Sequence, residues 1–216
     1  TLRVESQQQF TSLEENIKSV KIENQDFSAI IDDVVQGVVG IRTDTKQGSG
    51  FIVDTQGYLV TNYHVIEGAK AAAILTHDGE NHSVSLVDFN PDADIAVLKI
   101  EGSFSSLEFT DSDEVEIGQK VIAVGSPGGL DFTVSQGIIS AKRQTDGNSY
   151  IQIDVPINPG NSGGALVTIE GKVAGVNSLK LAGFEGVGFA LASNQVSEII
   201  EPMIAADKQL VAQSAQ

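Results

Sequence analysis

The chain has 216 residues, 41% of them hydrophobic and 22 of them glycine, enough to bury a core in one large domain or two small ones. Its 29 acidic against 13 basic side chains give a formal charge of -16, which repels phosphate backbones and anionic membranes and argues against nucleic acid as a partner. No Cys occurs, which excludes disulfides and thiol or zinc-thiolate chemistry, and no apolar run approaches the roughly 20 residues that span a bilayer, so membrane insertion is not expected of this chain.

The chain opens at Thr1 rather than Met, as a matured or truncated product would. Residues 1–26 are polar, but Phe10, Leu13, Ile17 and Val20 recur at helical spacing and Ser12 with Glu15 fits a capping box, which predicts a short helix or docking arm. Phe27, Ile30, Ile31, Val34 and Val35 then form a second stripe that stops at Gly37.

From Val38 the period becomes that of strands. Apolar segments bounded by Gly, Asn or Asp run over 38–41, 50–53, 58–62, 72–76, 83–88 and 95–100, and the pattern of short strands with turn signals reads as a β-barrel or sandwich. An acidic connection follows, in which Asp111, Asp113, Glu114 and Glu116 read as a solvated loop rather than a metal site. Six more segments occupy 120–125, 133–141, 150–155, 165–169, 172–178 and 188–192. Val196, Ile199, Ile200 and Ile204 predict a closing helix from Ser193, with 205–216 expected to fray. The expected division is an N-terminal arm and helix over 1–37, a first barrel over 38–112, a second over 113–193, and a C-terminal helix and tail over 194–216.

Chemistry is declared in Pro156-Ile157-Asn158-Pro159-Gly160-Asn161-Ser162-Gly163-Gly164, where a serine among glycines can be reached by a substrate and by backbone N–H donors together. Ser162 is the candidate nucleophile. The segment also fits the G-x-S-x-G elbow of α/β-hydrolases, but in that fold histidine follows serine, and here His64, His77 and His82 all precede Ser162. The subtilisin order Asp, His, Ser needs a parallel sheet wrapped in helices, which the middle of the chain does not offer. His, Asp, Ser remains. Two barrels joined near 110–118 would place a cleft between them. His64 ends an apolar strand of the first run and Asp94 immediately precedes another, so both candidate partners of Ser162 fall in the first barrel.

At this point the chain resembles the HtrA/Deg (high temperature requirement A) serine proteases of the chymotrypsin fold. The likeness rests on six blocks in family order: Gly48-Ser49-Gly50-Phe51-Ile52-Val53, Thr61-Asn62-Tyr63-His64-Val65, Asp94-Ile95-Ala96-Val97-Leu98-Lys99-Ile100, Gly125-Ser126-Pro127 with Thr133 to Ser140, Ile157 to Gly164, and Gly186-Val187-Gly188-Phe189-Ala190. The resemblance implies an all-β fold of two six-stranded antiparallel β-barrels, a triad of His64, Asp94 and Ser162 with Asp94 chosen over Asp92, and an oxyanion hole over Gly160, Asn161 and Ser162 whose donors are the N–H groups of Gly160 and Ser162. It also implies that Lys142 to Ser149 is a loop that helps to order that hole. A homotrimer built through the N-terminal segment is implied too, with Phe10 or Phe27 as aromatic anchors.

By the same resemblance the substrates are unfolded or damaged proteins outside the cytoplasm, bound as extended strands at an edge of the second barrel. Relatives commonly carry PDZ domains after the protease, and with the chain ending at Gln216 the expectation is a protease domain without one, either cut from a longer protein or a member that lacks it. Substrate contacts are expected from Ile157, Val187, Leu179 and Lys180. Trypsin-like enzymes carry an Asp six residues before the nucleophile, whereas Pro156 stands here, followed by Ile157. A buried substrate cation would find no partner, so small or medium aliphatic residues are expected before the cut, with Glu185 as the one nearby acid. No cofactor is expected, and His77 and His82 lack the ligand pattern of a metal site. The rival reading is a holdase-type chaperone or interaction scaffold whose protease site stands idle.

Overall fold

The computed structural model describes residues 27–126, 132–157, 160–180 and 186–214, with the backbone alone for 179 and 180. The arm over 1–26, with Phe10 and the capping box, lies outside the described residues. Each of the twelve apolar runs from Val38 onward is a strand. In the first half these are β1 (Val38–Thr43), β2 (Gln47–Asp54), β3 (Tyr58–Thr61), β4 (Ala72–Leu75), β5 (Asn81–Asn90) and β6 (Ile95–Ile100). In the second half they are β7 (Lys120–Gly125), β8 (Thr133–Thr145), β9 (Asn148–Ile153), β10 (Ala165–Thr168), β11 (Val173–Lys180) and β12 (Gly188–Ala192). The first six close a barrel in the order β1-β2-β3-β6-β5-β4, and the second six repeat that connectivity as β7-β8-β9-β12-β11-β10. All pairings within the barrels are antiparallel, the two-barrel arrangement expected of a chymotrypsin-like chain.

Strand alternation sorts the apolar side chains into three cores. Val39, Ile41, Ile52, Leu59, Ile74 and Leu98 fill the first barrel, and Val121, Ala123, Ile139, Ile151, Ile153 and Leu166 fill the second. The intervening positions Val38, Phe51, Val60 and Val97 point the other way. They meet Ile122, Val124, Ala165 and Val176 of the second barrel in a third core. Both faces of these strands are therefore buried, which is why they read as continuous apolar runs.

Helix α1 (Ser28–Gly37) lays Val34 and Val35 into this shared core. Gly37 permits its close approach, since a Cβ there would stand 2.7 Å from Leu107 Cγ. Phe27 is only 4% exposed and belongs to the same core, so it is not available as an anchor between subunits, contrary to the expectation from the sequence. A single turn, α2 (Tyr63–Ile66), follows β3.

The last helix, α3 (Ser193–Ser214), begins against the inter-barrel connection. Ser193 Oγ donates to the Thr110 carbonyl at 2.6 Å, and Asn194 exchanges hydrogen bonds with Ser112. The acidic connection has a structural use here: Asp111 accepts from Asn194 Nδ2 at 2.7 Å and from the Asp113 N–H at 2.9 Å, which holds its carboxyl below the ordinary value. The expected fraying beyond Ala205 does not occur within the described residues. The helix continues through Pro202 to Ser214 because it crosses onto the first barrel, where Asp207 accepts from Tyr58 Oη at 2.9 Å and Lys208 Nζ lies 2.7 Å from Asp54 Oδ2. It thus packs on β11 and β12 and also on β5 and β6. No helix among the described residues is long and apolar enough to cross a membrane.

Residues 142–149 form the end of the β8–β9 hairpin, closed by Asp146 (φ 53°) and Gly147 (φ 79°), the two positive-φ positions of a tight hairpin turn. Among the described residues its hydrogen bonds run to the turn before β6, to α3 and, through Lys142 Nζ at 2.7 Å, to the Asp113 carbonyl of the inter-barrel connection. Asn148 Nδ2 donates to the Asp92 carbonyl at 3.1 Å, and Gln195 Nε2 donates to Asn148 Oδ1 at 2.5 Å.

Candidate active site

The site starts where β3 runs out. Asn62 keeps an extended backbone and starts the single turn of α2, which presents His64 beside the entry to β6. Asp94 occupies that entry with φ 56°, a left-handed conformation that costs a non-glycine residue energy and marks a position fixed by its surroundings. The surroundings are visible: the Asp94 carbonyl accepts from the Tyr63 N–H at 3.1 Å and from Asn62 Nδ2 at 3.0 Å. The turn aims the carboxylate at residue 64 in two places. Asp94 Oδ2 lies 2.6 Å from His64 Nδ1, and Asp94 Oδ1 accepts the His64 N–H at 2.8 Å. The His64 side chain is 42% exposed and the Asp94 side chain 25%, so the imidazole faces the cleft and the acid lies behind it.

A second barrel residue completes the acid's shell. Ser178 Oγ donates to Asp94 Oδ2 at 3.3 Å. The register of β11 against β12 shifts between Asn177 and Leu179, and the bulge at Ser178 re-aims its side chain across the barrel interface. The negative charges of Asp94 and Asp146 also act on Tyr150, whose phenol is held above its ordinary value first by burial and then by those carboxylates.

Ser162 is brought to this region by glycines. Gly163 has φ 82°, and a Cβ on it would lie 2.2 Å from the Ser49 carbonyl oxygen, 2.4 Å from Thr61 Oγ1 and 3.0 Å from the Asn62 nitrogen. Only a glycine allows the serine loop to lie against the end of β3, three residues before His64. On the other side, a Cβ on Gly48 would meet Val65 at 2.7 Å and the Ser162 carbonyl oxygen at 3.3 Å, so the serine and the turn bearing His64 face each other across Gly48. The Ser162 carbonyl accepts the Ser49 N–H at 2.9 Å, and the Gly163 N–H donates to the Asn177 carbonyl at 2.8 Å. Among the described residues the Ser162 hydroxyl makes no hydrogen bond to His64; nucleophile and base often tighten only when substrate is bound.

Gly160 takes φ 109°, the glycine-only geometry expected of it. Asn161 is 1% exposed with its side chain turned inward, its Nδ2 3.5 Å from the Pro156 carbonyl oxygen and its Oδ1 without a hydrogen-bond partner among the described residues. Asn158 and Pro159 lie outside the described residues, as does Glu185. Ile157 is buried and packs on Gly188, where a Cβ would stand 2.8 Å from Ile157 Cγ1. Val187, half-buried, is the residue before that contact. Leu179 and Lys180 pair through their backbones with Phe189 and Gly188; their side chains lie outside the described residues. His82 Nε2 lies 3.1 Å from Thr76 Oγ1, and no group of metal-binding side chains occurs among the described residues.

Ser178, Asn62 and Ser49 carry no role that their local sequence announces. Ser49 and Asn62 are fully buried and Ser178 nearly so, and their one sequence signal is a small polar residue interrupting an apolar run.

Known proteins resemble this chain in sequence and in fold. A model of the trypsin-like peptidase domain matches residues 48–176. The probable periplasmic serine endoprotease DegP-like of Chlamydia trachomatis is 42% identical over 172 residues, covering 76% of this chain and 35% of the relative. The serine protease Do-like HtrA of Lactobacillus helveticus is 37% identical over 218 residues, covering 87% of this chain and 53% of the relative. The chain therefore spans between a third and about half of the length of these relatives. Among solved structures, an HtrA-type protease AlgW with tripeptide aligns with TM-score 0.77 at 35% identity, over 83% of this chain and 64% of that one. The serine endoprotease from Yersinia pestis aligns with TM-score 0.77 at 34% identity, over 83% and 67%. With the family model matched over most of both barrels and the fold shared with solved HtrA-type structures, the chain belongs to the trypsin-like peptidase family, among its HtrA and DegP serine proteases.

Proposed function

We propose that the chain is a serine endopeptidase acting through His64, Asp94 and Ser162. Ser162 Oγ attacks the scissile carbonyl carbon while His64 Nε2 takes the hydroxyl proton; collapse of the tetrahedral adduct breaks the C–N bond, and the proton passes to the leaving amine. Water then repeats the sequence on the acyl-enzyme and regenerates the serine. The carrying observation is the two-point hold of Asp94 on residue 64, through Nδ1 at 2.6 Å and the N–H at 2.8 Å. An ionised Asp94 keeps the proton on Nδ1 and leaves the Nε2 lone pair for the serine. The N–H groups of Gly160 and Ser162 receive the oxyanion, each such donor worth on the order of 10² to 10³ in rate.

The substrates we assign are unfolded or damaged polypeptides, cut after Val, Ala, Leu or Ile. Support comes from the aliphatic contact of Ile157 with Gly188 and from Pro156 at the position where an acid would be needed to receive Lys or Arg. The backbone of Leu179 and Lys180 offers a strand against which an extended substrate could pair. Quality control outside the cytoplasm is the setting we assign, in line with relatives named as periplasmic proteases. The assembly we assign is a homotrimer through residues 1–26, and light scattering of a chain without them should show monomers; an unchanged mass removes that assignment.

One observation favours an idle site in a holdase-type chaperone, namely the Ser162 hydroxyl that makes no hydrogen bond to His64 among the described residues. Labelling with a serine-directed fluorophosphonate, with Ser162→Ala as the blank, decides between the two. Covalent labelling together with digestion of an unfolded protein supports the peptidase, and neither label nor digestion supports the chaperone.

A further inference from the structure

Ser49 is fully buried in β2, and neither the triad nor the oxyanion donors account for its side chain. Its hydroxyl has two partners. Oγ accepts the N–H of Ser126, the residue after β7, at 2.7 Å, and donates to the carbonyl of Gly160. The same residue's N–H donates to the Ser162 carbonyl at 2.9 Å, and its own carbonyl accepts Thr61 Oγ1 at 2.7 Å. One residue of the first barrel therefore holds both Gly160 and Ser162 by their carbonyls.

The placement has a consequence for the two N–H groups that receive the oxyanion. They belong to the peptide units entering Gly160 and Ser162, and the unit between them is the one whose carbonyl Ser49 holds. Gly160, at φ 109°, lacks the side chain that would limit rotation of its neighbouring peptides, so its own sequence does not fix where those N–H groups point. An outside contact must. A serine hydroxyl has one proton to give, and an N–H delivered to its oxygen from Ser126 leaves that proton to be directed at Gly160, each bond polarising the next. The niche is close-walled: a Cβ on Gly125 would stand 2.8 Å from Ser49 Oγ, leaving little room for the hydroxyl to swing elsewhere.

We propose that Ser49 is a positioning residue for the oxyanion hole, its hydroxyl pinning the Gly160 carbonyl and thereby orienting the two flanking N–H donors. This rests on the serine endopeptidase reading. Ser49 touches no substrate; it acts through Gly160.

The test measures kcat and KM for a peptide amide, inhibition by the corresponding peptide aldehyde, and thermal unfolding, in the full chain and in Ser49→Ala and Ser49→Cys. The aldehyde adduct carries an oxyanion and so reports on the hole, whereas KM reports on the rest of the cleft. Misaiming a donor should cost up to the order of 10² in kcat, somewhat less than deleting one. We expect that loss in kcat in Ser49→Ala, KM changed by less than about threefold, and aldehyde affinity falling in step with kcat/KM. Ser49→Cys keeps the volume and weakens the donor, so it should show the same pattern less severely, and it carries the test if Ser49→Ala does not fold. Wild-type kcat and aldehyde affinity in a folded variant would overturn the proposal, as would a loss confined to KM or one that vanishes when rates are expressed per folded molecule. A wild-type chain that neither labels with fluorophosphonate nor cuts the peptide refutes the peptidase reading itself.

Discussion

Tyr58 Oη donates to Asp207 Oδ2 at 2.9 Å, tying a central strand of the first barrel to the far half of α3. Beside it, Lys208 Nζ reaches Asp54 Oδ2 at 2.7 Å and stands 5.3 Å from the centre of the Tyr58 ring. Burial first, then the hydrogen bond to Asp207 and the neighbouring carboxylates, push the Tyr58 phenol up to about 12. Burial works against the Asp54 carboxylate, but the Lys208 hydrogen bond, the Gln56 N–H and the charges of Lys208 and Lys99 outweigh it and hold the group below its ordinary value.

The signs follow from linkage. Tyr58, raised on folding, contributes stability fully present below the ordinary phenol value of 10.0 and lost as pH rises through about 12. Asp54, lowered on folding, contributes stability present above the ordinary carboxylate value of 3.8 and lost as pH falls through its folded value. Melting temperature against pH should therefore drop faster above pH 10 in the wild type than in Tyr58→Phe. Parallel curves in the alkaline limb would show that the phenol does not contribute.

Ser162→Ala and His64→Ala should each lose turnover almost completely, by up to about 10⁶ in kcat, while keeping the wild-type circular dichroism spectrum. Asp94→Asn should lose about 10⁴ through the wrong imidazole tautomer. Asp92→Asn is the internal control: among the described residues the one hydrogen bond of Asp92 is made by its carbonyl, held by Asn148, and the activity of this variant should stay near wild type.

The contact of Ile157 with Gly188 should set which residue precedes the cut. Mass spectrometry of fragments from an unfolded protein should show cleavage after Val, Ala, Leu or Ile. Ile157→Ala should admit larger side chains, with preferences shifting by about 10-fold to 200-fold per methylene of change. Predominant cleavage after Lys or Arg would remove the pocket assignment.

Gly163→Ala should be among the most damaging single-methyl changes in the molecule. Its φ of 82° disfavours any side chain, and the new Cβ would overlap the Ser49 carbonyl and Thr61 Oγ1. Strain of this kind costs roughly 1–3 kcal/mol in the backbone alone. Urea denaturation should show a loss at least that large, accompanied by loss of fluorophosphonate labelling.

The strands were legible because both of their faces are buried, so β3 and β6 read as unbroken apolar runs with Gly, Asn or Asp at their ends. His64, Asp94 and Ser162 were legible as residue types in an order, and the structure supplies the 2.6 Å contact between the first two. The second half of α3 was not legible. Asp207 and Lys208 are ordered by Tyr58 and Asp54, some 150 positions earlier, and nothing in the local pattern after Ala205 reports so distant a partner. Ser178 and Ser49 were missed for a related reason, since a bulge and a buried hydroxyl leave no periodic trace. Phe27 was named as an anchor between subunits by resemblance alone, whereas the apolar stripe it opens already pointed to the core in which it lies.

The course of α3 also bears on the order in which the molecule becomes complete during synthesis. The chain builds the first barrel, crosses to the second, and only then returns to the first with Asp207 and Lys208. Protein emerges from the ribosome N-terminal end first at about 5–20 residues per second, so the first barrel waits several seconds for the segment that brackets it to its neighbour. His64 and Asp94 are made early and Ser162 late, and the bracket later still. The tie between the two barrels through Asp207 and Lys208 therefore closes only after the last turns of α3 have been delivered.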